Sequence, residues 1–538
     1  MVVRIMNKVI RIFACLLALL MLFGCTLTSP SRPENKPIST DKPKTEEPAP
    51  SNEKPADEPA PENPPVNTEP KPAPEVQTAP KEVDVTVSYE YSMAPDERGI
   101  YISARGPLLT PGYEIWGDMQ EAPELSPALQ ESIKQLSNNL SYMTAADAET
   151  LRYSAQMSAD DHGWYSIERA LYMTRCDEDY ISYYVKAWMS DPRLELENVT
   201  YFAVNLDKNG RMDTFKTAFT DTDSLGEIIF NAFQYNYPFT EFYPDALEII
   251  KNSVDTGDGS VSFALANGGV MVMVNGDTIS SEKDGHITFL SYFDYPELVK
   301  PECMTQSDSW IIPMEYGVTY TPDENHVISM YWDLDEVEYT GFWTVCVNGI
   351  DMSEEFYGYS PTCWLIKKNG TYYVYLRVPV GDVSRLGKVY ELGSDKITFV
   401  ADTELAFADE MCYNTEHLKM LSNEFYYGDE FYLDTAGMYR IGDNGVPELI
   451  SDEFKLSGST VTPRKTERLY TADGGFTTVA GGIELTPLKT DKRTYIDFLS
   501  EDGRIIRISI NEFGYGMLFF GDTDPDDFFE RVEEGSGY

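Results

Sequence analysis

Apolar residues recur along this chain in three rhythms, and each predicts a different kind of structure. Residues 12–23 form an almost unbroken apolar run behind Arg4, Lys8 and Arg11. From residue 124 the rhythm is helical. Leu129, Ile133, Leu136, Leu140 and Met143 recur at steps of four, three, four and three, which puts one apolar stripe on a helix over 124–145. Pro127 suits its first turn and Ser126 its cap. Elsewhere the period is mostly two. Residues 83–91, VDVTVSYEY, read as an opening strand, and strands follow at 180–189 and 201–206. The last of these runs into Asp207-Lys208-Asn209-Gly210, a tight-turn signal. Asp223-Ser224 caps a helix carrying Leu225, Ile228, Ile229 and Phe233, and a shorter helix holds Ala246, Ile249 and Ile250. Strands at 261–266, 270–274 and 286–293 are divided by Asn267-Gly268-Gly269 and Asn275-Gly276.

Beyond residue 307 the pattern is strands and turns. Residues 343–347 meet Asn348-Gly349, and 364–368 meet Asn369-Gly370 before 371–378 return. Residues 388–392 and 396–400 make another pair. Hairpins at this spacing predict a sandwich or a propeller-like array, with no period strict enough for blades. The final stretch, 455–538, has turns at Gly474-Gly475 and Asp502-Gly503. It resembles the small Src-homology-type (SH3-like) barrels that end some bacterial surface proteins. The other reading is a terminal part of the preceding sheet. The predicted fold class is therefore an α+β N-terminal domain, with helices packed on an antiparallel sheet, followed by a mostly-β C-terminal region.

The N-terminus bears on location. The apolar run ends in Leu22-Phe23-Gly24-Cys25, which resembles the processing box of bacterial lipoproteins. That resemblance implies a signal peptide over 1–24, removal before Cys25, and an acyl anchor on Cys25 that holds the protein to the lipid bilayer on its extracytoplasmic face. The alternative is an uncleaved membrane helix, for which the run is short against the ~20 residues of a span. Residues 26–81 hold fifteen of the chain's 33 prolines and almost no large apolar residues, so no core offsets their ordering entropy. Residues 25–82 are read as a lipidated cysteine and disordered tether, semi-extended, with an upper reach of roughly 170 Å.

Residues 83–303 carry a second resemblance. It rests on the opening strand, the long helix, the paired strands around Asp207-Lys208-Asn209-Gly210, the Thr222-Asp223-Ser224-Leu225 helix start, the glycine-turn hairpin and the closing Tyr295-Pro296-Glu297-Leu298. In that order they resemble the extracytoplasmic domain of the lysozyme-sensing anti-sigma factors, a domain type that also precedes the catalytic domain of some peptidoglycan deacetylases. The resemblance implies a binding or sensing role at the cell wall and no catalytic residues. The expected division is 83–303 as the sensing or binding domain, able to fold alone, then a β-rich domain over 304–454 and the small unit over 455–538.

Charge narrows the partners. The whole chain is −47, and the +3 of residues 1–24 cancels the −3 of the tether. A folded part this acidic excludes nucleic acid, which needs a basic footprint. It suits steering of a cationic envelope or host-defence protein such as a lysozyme, or it serves solubility. Wall glycan is the other candidate ligand.

Candidate chemistry is sparse. Of seven cysteines, Cys346 and Cys363 either flank a hairpin and pair or are small buried apolar residues. Among four histidines the one local cluster is Asp160-Asp161-His162, readable as an acid–base pair, as metal ligands or as a polar loop. Acidic runs at 207–213 and 522–527 lack calcium-loop spacing. Trp310, Trp332, Trp343 and Trp364 are either a sugar-stacking platform or core. No metal or organic cofactor is indicated. The leading expectation is a non-catalytic, membrane-anchored lipoprotein that binds or senses an envelope ligand. The alternatives are a wall-polysaccharide hydrolase or transferase with an acidic site, and a structural envelope assembly protein.

Overall fold

The computed structural model describes residues 81–93, 101–115, 118–122, 124–157, 164–191, 196–305, 307–335, 340–357, 361–380, 384–407, 414–426, 432–457, 460–471, 474–513, 517–520 and 525–531. Cys25 and the Asp160, Asp161 and His162 cluster lie outside them.

The N-terminal region is α+β. Its first sheet has five strands, in the order Val85–Met93, Tyr101–Pro111, Trp164–Cys176, Tyr180–Asp191 and Leu196–Asp207. All neighbours are antiparallel except Tyr101–Pro111 with Trp164–Cys176. A parallel pair needs a crossover, and the long helix α1, Pro127–Met157, supplies it. Ser126 caps α1 as expected, its Oγ accepting from the Leu129 amide at 3.1 Å. The helix runs twelve residues past its expected end. Its buried stripe continues through Ala148, Leu151 and Ala155, where two small alanines leave Leu151 as the one strong apolar signal. A Cβ on Gly106 would fall 1.8 Å from Thr144 Oγ1, so glycine lets the sheet approach the helix this closely.

A three-stranded antiparallel sheet follows: Val261–Ala266, Gly269–Val274 and His286–Ser291. Both of its faces are covered. Phe263, Leu265, Val270, Val272 and Leu290 pack with helices α2, Leu225–Asn236, and α3, Ala246–Thr256. Ala264, Met271, Met273 and Phe289 face residues of the next sheet instead. At the start of α2, Ser224 makes no side-chain cap. Its hydroxyl donates to Asp221 Oδ2 at 2.7 Å, so Asp221 organises the turn. Gly257, with φ of 67°, ends α3 as a left-handed cap.

From Trp310 onward most of the described residues are strand. Among the described residues, nine strands make one sheet over 310–403 and thirteen make another over 405–531. Asn348-Gly349 and Asn369-Gly370 close two-residue hairpins with all four φ values positive, as type I′ turns require. The last stretch shares features of both sequence readings. Leu456, Leu485, Ile496, Phe498 and Ile506 form a core cluster of their own. Yet Phe454–Ser457 pairs with Tyr432–Ile441, so the hydrogen-bond ladder runs unbroken across residue 455.

Cores do not follow the expected division at 303/304. One apolar cluster joins Val85, Leu129, Ile133 and Tyr183 to Ile366, Tyr375, Leu418 and Met420. A second joins Tyr184, Tyr201 and Met273 to Trp310, Trp343 and Val374.

Candidate binding cleft

The C-terminal sheet frames a cleft with a volume of about 1030 Å³. Three segments wall it: residues 449–454, residues 491–495, and His417 with Tyr113; Met438 also lines it. Their construction is local. Asp491 Oδ1 accepts from the amides of Arg493, Thr494 and Tyr495 at 2.9, 2.7 and 3.2 Å, and Oδ2 accepts from Thr494 Oγ1 at 2.6 Å. This is an aspartate-led turn of the kind the side chain's short reach favours. It fixes Lys492 with φ of 59°.

The polar groups of this turn and its neighbours are committed. Glu453 accepts from Lys489 Nζ at 2.8 and 3.1 Å and from the Tyr495 hydroxyl. Burial would raise the Glu453 carboxyl, but these hydrogen bonds outweigh it and hold the group below its ordinary value. Asp491 is likewise held low, the Thr494 hydroxyl and the turn amides outweighing burial. The Arg507 guanidinium lies 3.6 Å over the Tyr495 ring and forks onto Asp497. Lys492 differs. Its ammonium donates to Ser422 Oγ at 2.6 Å and sits 4.5 Å over the Phe454 ring, and burial pushes it down to about 8.

The opposite wall is assembled from distant sequence. His417 stacks on Tyr113, centroids 4.5 Å apart and planes within 13°. Its Nδ1 lies 3.1 and 3.2 Å from the two oxygens of Asp84, which also accepts from Asn414 Nδ2 at 2.8 Å. The Asp84 carboxylate raises the His417 imidazole above its ordinary value, against a smaller opposing effect of burial. Two residues earlier in each segment, Glu82 Oε2 accepts from Thr415 Oγ1 at 2.5 Å. Burial pushes the Glu82 carboxyl up to about 7 despite the Thr415 hydrogen bonds. Both groups are raised on folding, so both contribute stability that is present in acid and lost as pH rises. For His417 the loss begins above the ordinary imidazole value, and for Glu82 it runs from 4.5 to about 7. Glu82→Gln fixes the neutral form. It should raise stability at pH 8 by on the order of 1–3 kcal/mol and leave it unchanged at pH 4, as read by urea unfolding at the two values.

Sequence reasoning did not find this cleft. Trp310 and Trp343 are buried in the core, Trp364 packs against Phe407, and Trp332 packs partly buried against the second cluster, so the four make no stacking platform. Cys346 and Cys363 are free thiols on separate strands. Asp207 accepts from the amides of Asn209 and Arg211, both at 2.8 Å, and is an acidic turn. His286 is core: its Nε2 lies 2.8 Å from Ser280 Oγ, and burial pushes it down to about 4. No group of three or more metal-ligating side chains occurs among the described residues. The local signal that was available is Asp491-Lys492-Arg493-Thr494, a charged turn motif between two strands.

No protein-family model and no curated relative matches the chain. Among solved structures it is similar to a DUF3298-family protein from Bacteroides fragilis, with a TM-score of 0.30 and 11% identity over 42% of this chain and 96% of that one. It is also similar to a DUF3298-family protein from Pseudomonas aeruginosa, with a TM-score of 0.28 and 10% identity over 42% of this chain and 98% of that one.

Proposed function

We propose that this chain is a membrane-anchored extracytoplasmic lipoprotein that binds a cell-envelope ligand, wall glycan, in the cleft between residues 449–454 and 491–495. One observation carries the reading. Glu453, Asp491 and the Nδ1 of His417 are engaged with neighbours, and beside the exposed Asp452 carboxylate most of the lining is ring and aliphatic surface. Asp491 holds a turn, Glu453 is held by Lys489 and Tyr495, and His417 is held by Asp84. General acid–base catalysis needs a titrating group within reach of substrate and ready to exchange its proton. Recognition needs apolar walls with a few fixed polar groups, and Tyr113, Phe454, Tyr495, Leu449 and Ile450 supply the walls.

Ile450 is 44% exposed, so Ile450→Glu places a charged side chain in the cleft without entering the core. Purified wall sacculi should co-sediment with the parent protein and lose most of the Ile450→Glu variant, at unchanged melting temperature. Retention of the variant on the sacculi would overturn the assignment of the cleft. The formal charge of −47 favours a second reading, a cationic envelope protein steered to the acidic surface. Such a partner would bind the parent and the variant equally.

The anchor has a separate test. Cys25→Ala should release the protein from the membrane fraction or leave an unprocessed precursor. Normal processing and retention of that variant would remove the lipoprotein reading.

A further inference from the structure

We infer that the cleft is built for an acidic saccharide, whose carboxylate seats against the Lys492 ammonium; the inference rests on the binding function proposed above. Lys492 is the exception among the enclosed cations of this region. Lys489 pairs with Glu453 at 2.8 Å, Arg507 with Asp497 at 2.7 Å and Lys368 with Glu416 at 2.5 Å. The Lys492 ammonium has three donors, and among the described residues its hydrogen-bond partner is the Ser422 hydroxyl. Its other near neighbour is the face of Phe454. Counter-ions are not scarce: the chain has 89 acidic residues to 42 basic ones. Among the described residues this amine nonetheless makes no direct ion pair on the cleft wall, the Glu404 carboxylate acting on it only through space.

Its placement is fixed as well. The Lys492 amide donates to Thr490 Oγ1 at 2.9 Å, and the Asp491 turn holds the residue in the left-handed region that L side chains seldom adopt. Arg493, exposed on the same turn, lines the same cleft and brings a second cation to its rim. Burial weakens the hold of Lys492 on its proton against the opposing charge of Glu404, and an arriving carboxylate supplies the direct ion pair that Glu404 does not make. Tyr113 and Tyr495 give ring surface on which a pyranose packs, and the volume suits a ligand of disaccharide size.

The test uses a wall disaccharide, N-acetylglucosaminyl-N-acetylmuramic acid, and its methylamide, titrated calorimetrically into the soluble protein. The free acid should bind about 10- to 100-fold more tightly than the amide, as a charge-assisted hydrogen bond implies. Lys492→Asn removes the ammonium and keeps a residue that tolerates positive φ. It should bring the acid down to the level of the amide, with Arg493→Gln having the smaller effect. Equal binding of acid and amide overturns the inference and leaves the envelope-binding function standing. So does binding of sacculi with no binding of either disaccharide. Failure of sacculi and both disaccharides alike removes both.

Discussion

Residues 83–303, produced alone, should give a species that binds hydrophobic dyes, is cut readily by protease and shows no cooperative unfolding transition. Their strands and helices are complete in themselves, which is why the sequence reads as an autonomous unit. The cores are not. Val85, Leu109, Ile133 and Tyr183 share a cluster with Ile366, Tyr375, Val389, Leu418 and Met420. Tyr201, Met271 and Phe289 share another with Trp310, Ile312, Trp343 and Leu365. Removing everything after residue 303 exposes one side of both clusters. Each large side chain returned to water costs about 1.5–3 kcal/mol, and several together exceed the 5–15 kcal/mol that holds a typical domain folded. The chain from residue 81 to 538 should instead unfold as a single transition or as two closely spaced ones. A sharp, reversible transition from the fragment would show that the α1 side of the sheet supports itself.

What was legible in the sequence was local. The apolar stripe of α1 and the Ser126 cap are carried within a few residues. So are the Asn-Gly hairpins at 348–349 and 369–370, because a helix face or a turn type is set by neighbours. Tyr101–Pro111 and Trp164–Cys176 were missed as strands. Their pairing is a parallel one made through a 31-residue helix, and no turn marks it. Elements were therefore easier to read than the cores they build, since which apolar faces meet depends on contacts hundreds of residues apart.

The cleft was illegible for the same reason. Its His417–Asp84 wall joins residues 333 positions apart, and the Glu82–Thr415 contact spans the same distance. The local cluster that drew attention, Asp160-Asp161-His162, did so because adjacency is visible in a sequence. Only the Asp491 turn had a readable signature, and its meaning depended on Lys492 making no direct ion pair among the described residues.

Arg507→Met should cost about 3–5 kcal/mol, the largest loss expected from one substitution near the cleft, because it strands a buried carboxylate. Asp497 and Arg507 sit directly opposite each other on neighbouring strands. The Asp497 side chain is fully enclosed, and each of its oxygens accepts one guanidinium N–H at 2.7 Å. Asp497 itself is shut off from water, so its charge keeps only the access that the part-exposed Arg507 position opens. The double variant Asp497→Leu with Arg507→Met removes the charge as well and should recover most of the loss, since apolar replacements of a buried pair are often neutral or better. Urea unfolding of the parent, the single variant and the double variant measures both steps. A single-variant loss below about 1 kcal/mol would mean that the pair behaves as a solvated surface bridge. The same substitution uncovers the Tyr495 ring, on which the guanidinium lies at 3.6 Å. The double variant therefore separates two roles of Arg507: with stability recovered, any remaining deficit in ligand binding reports the loss of support for a ring on the cleft wall.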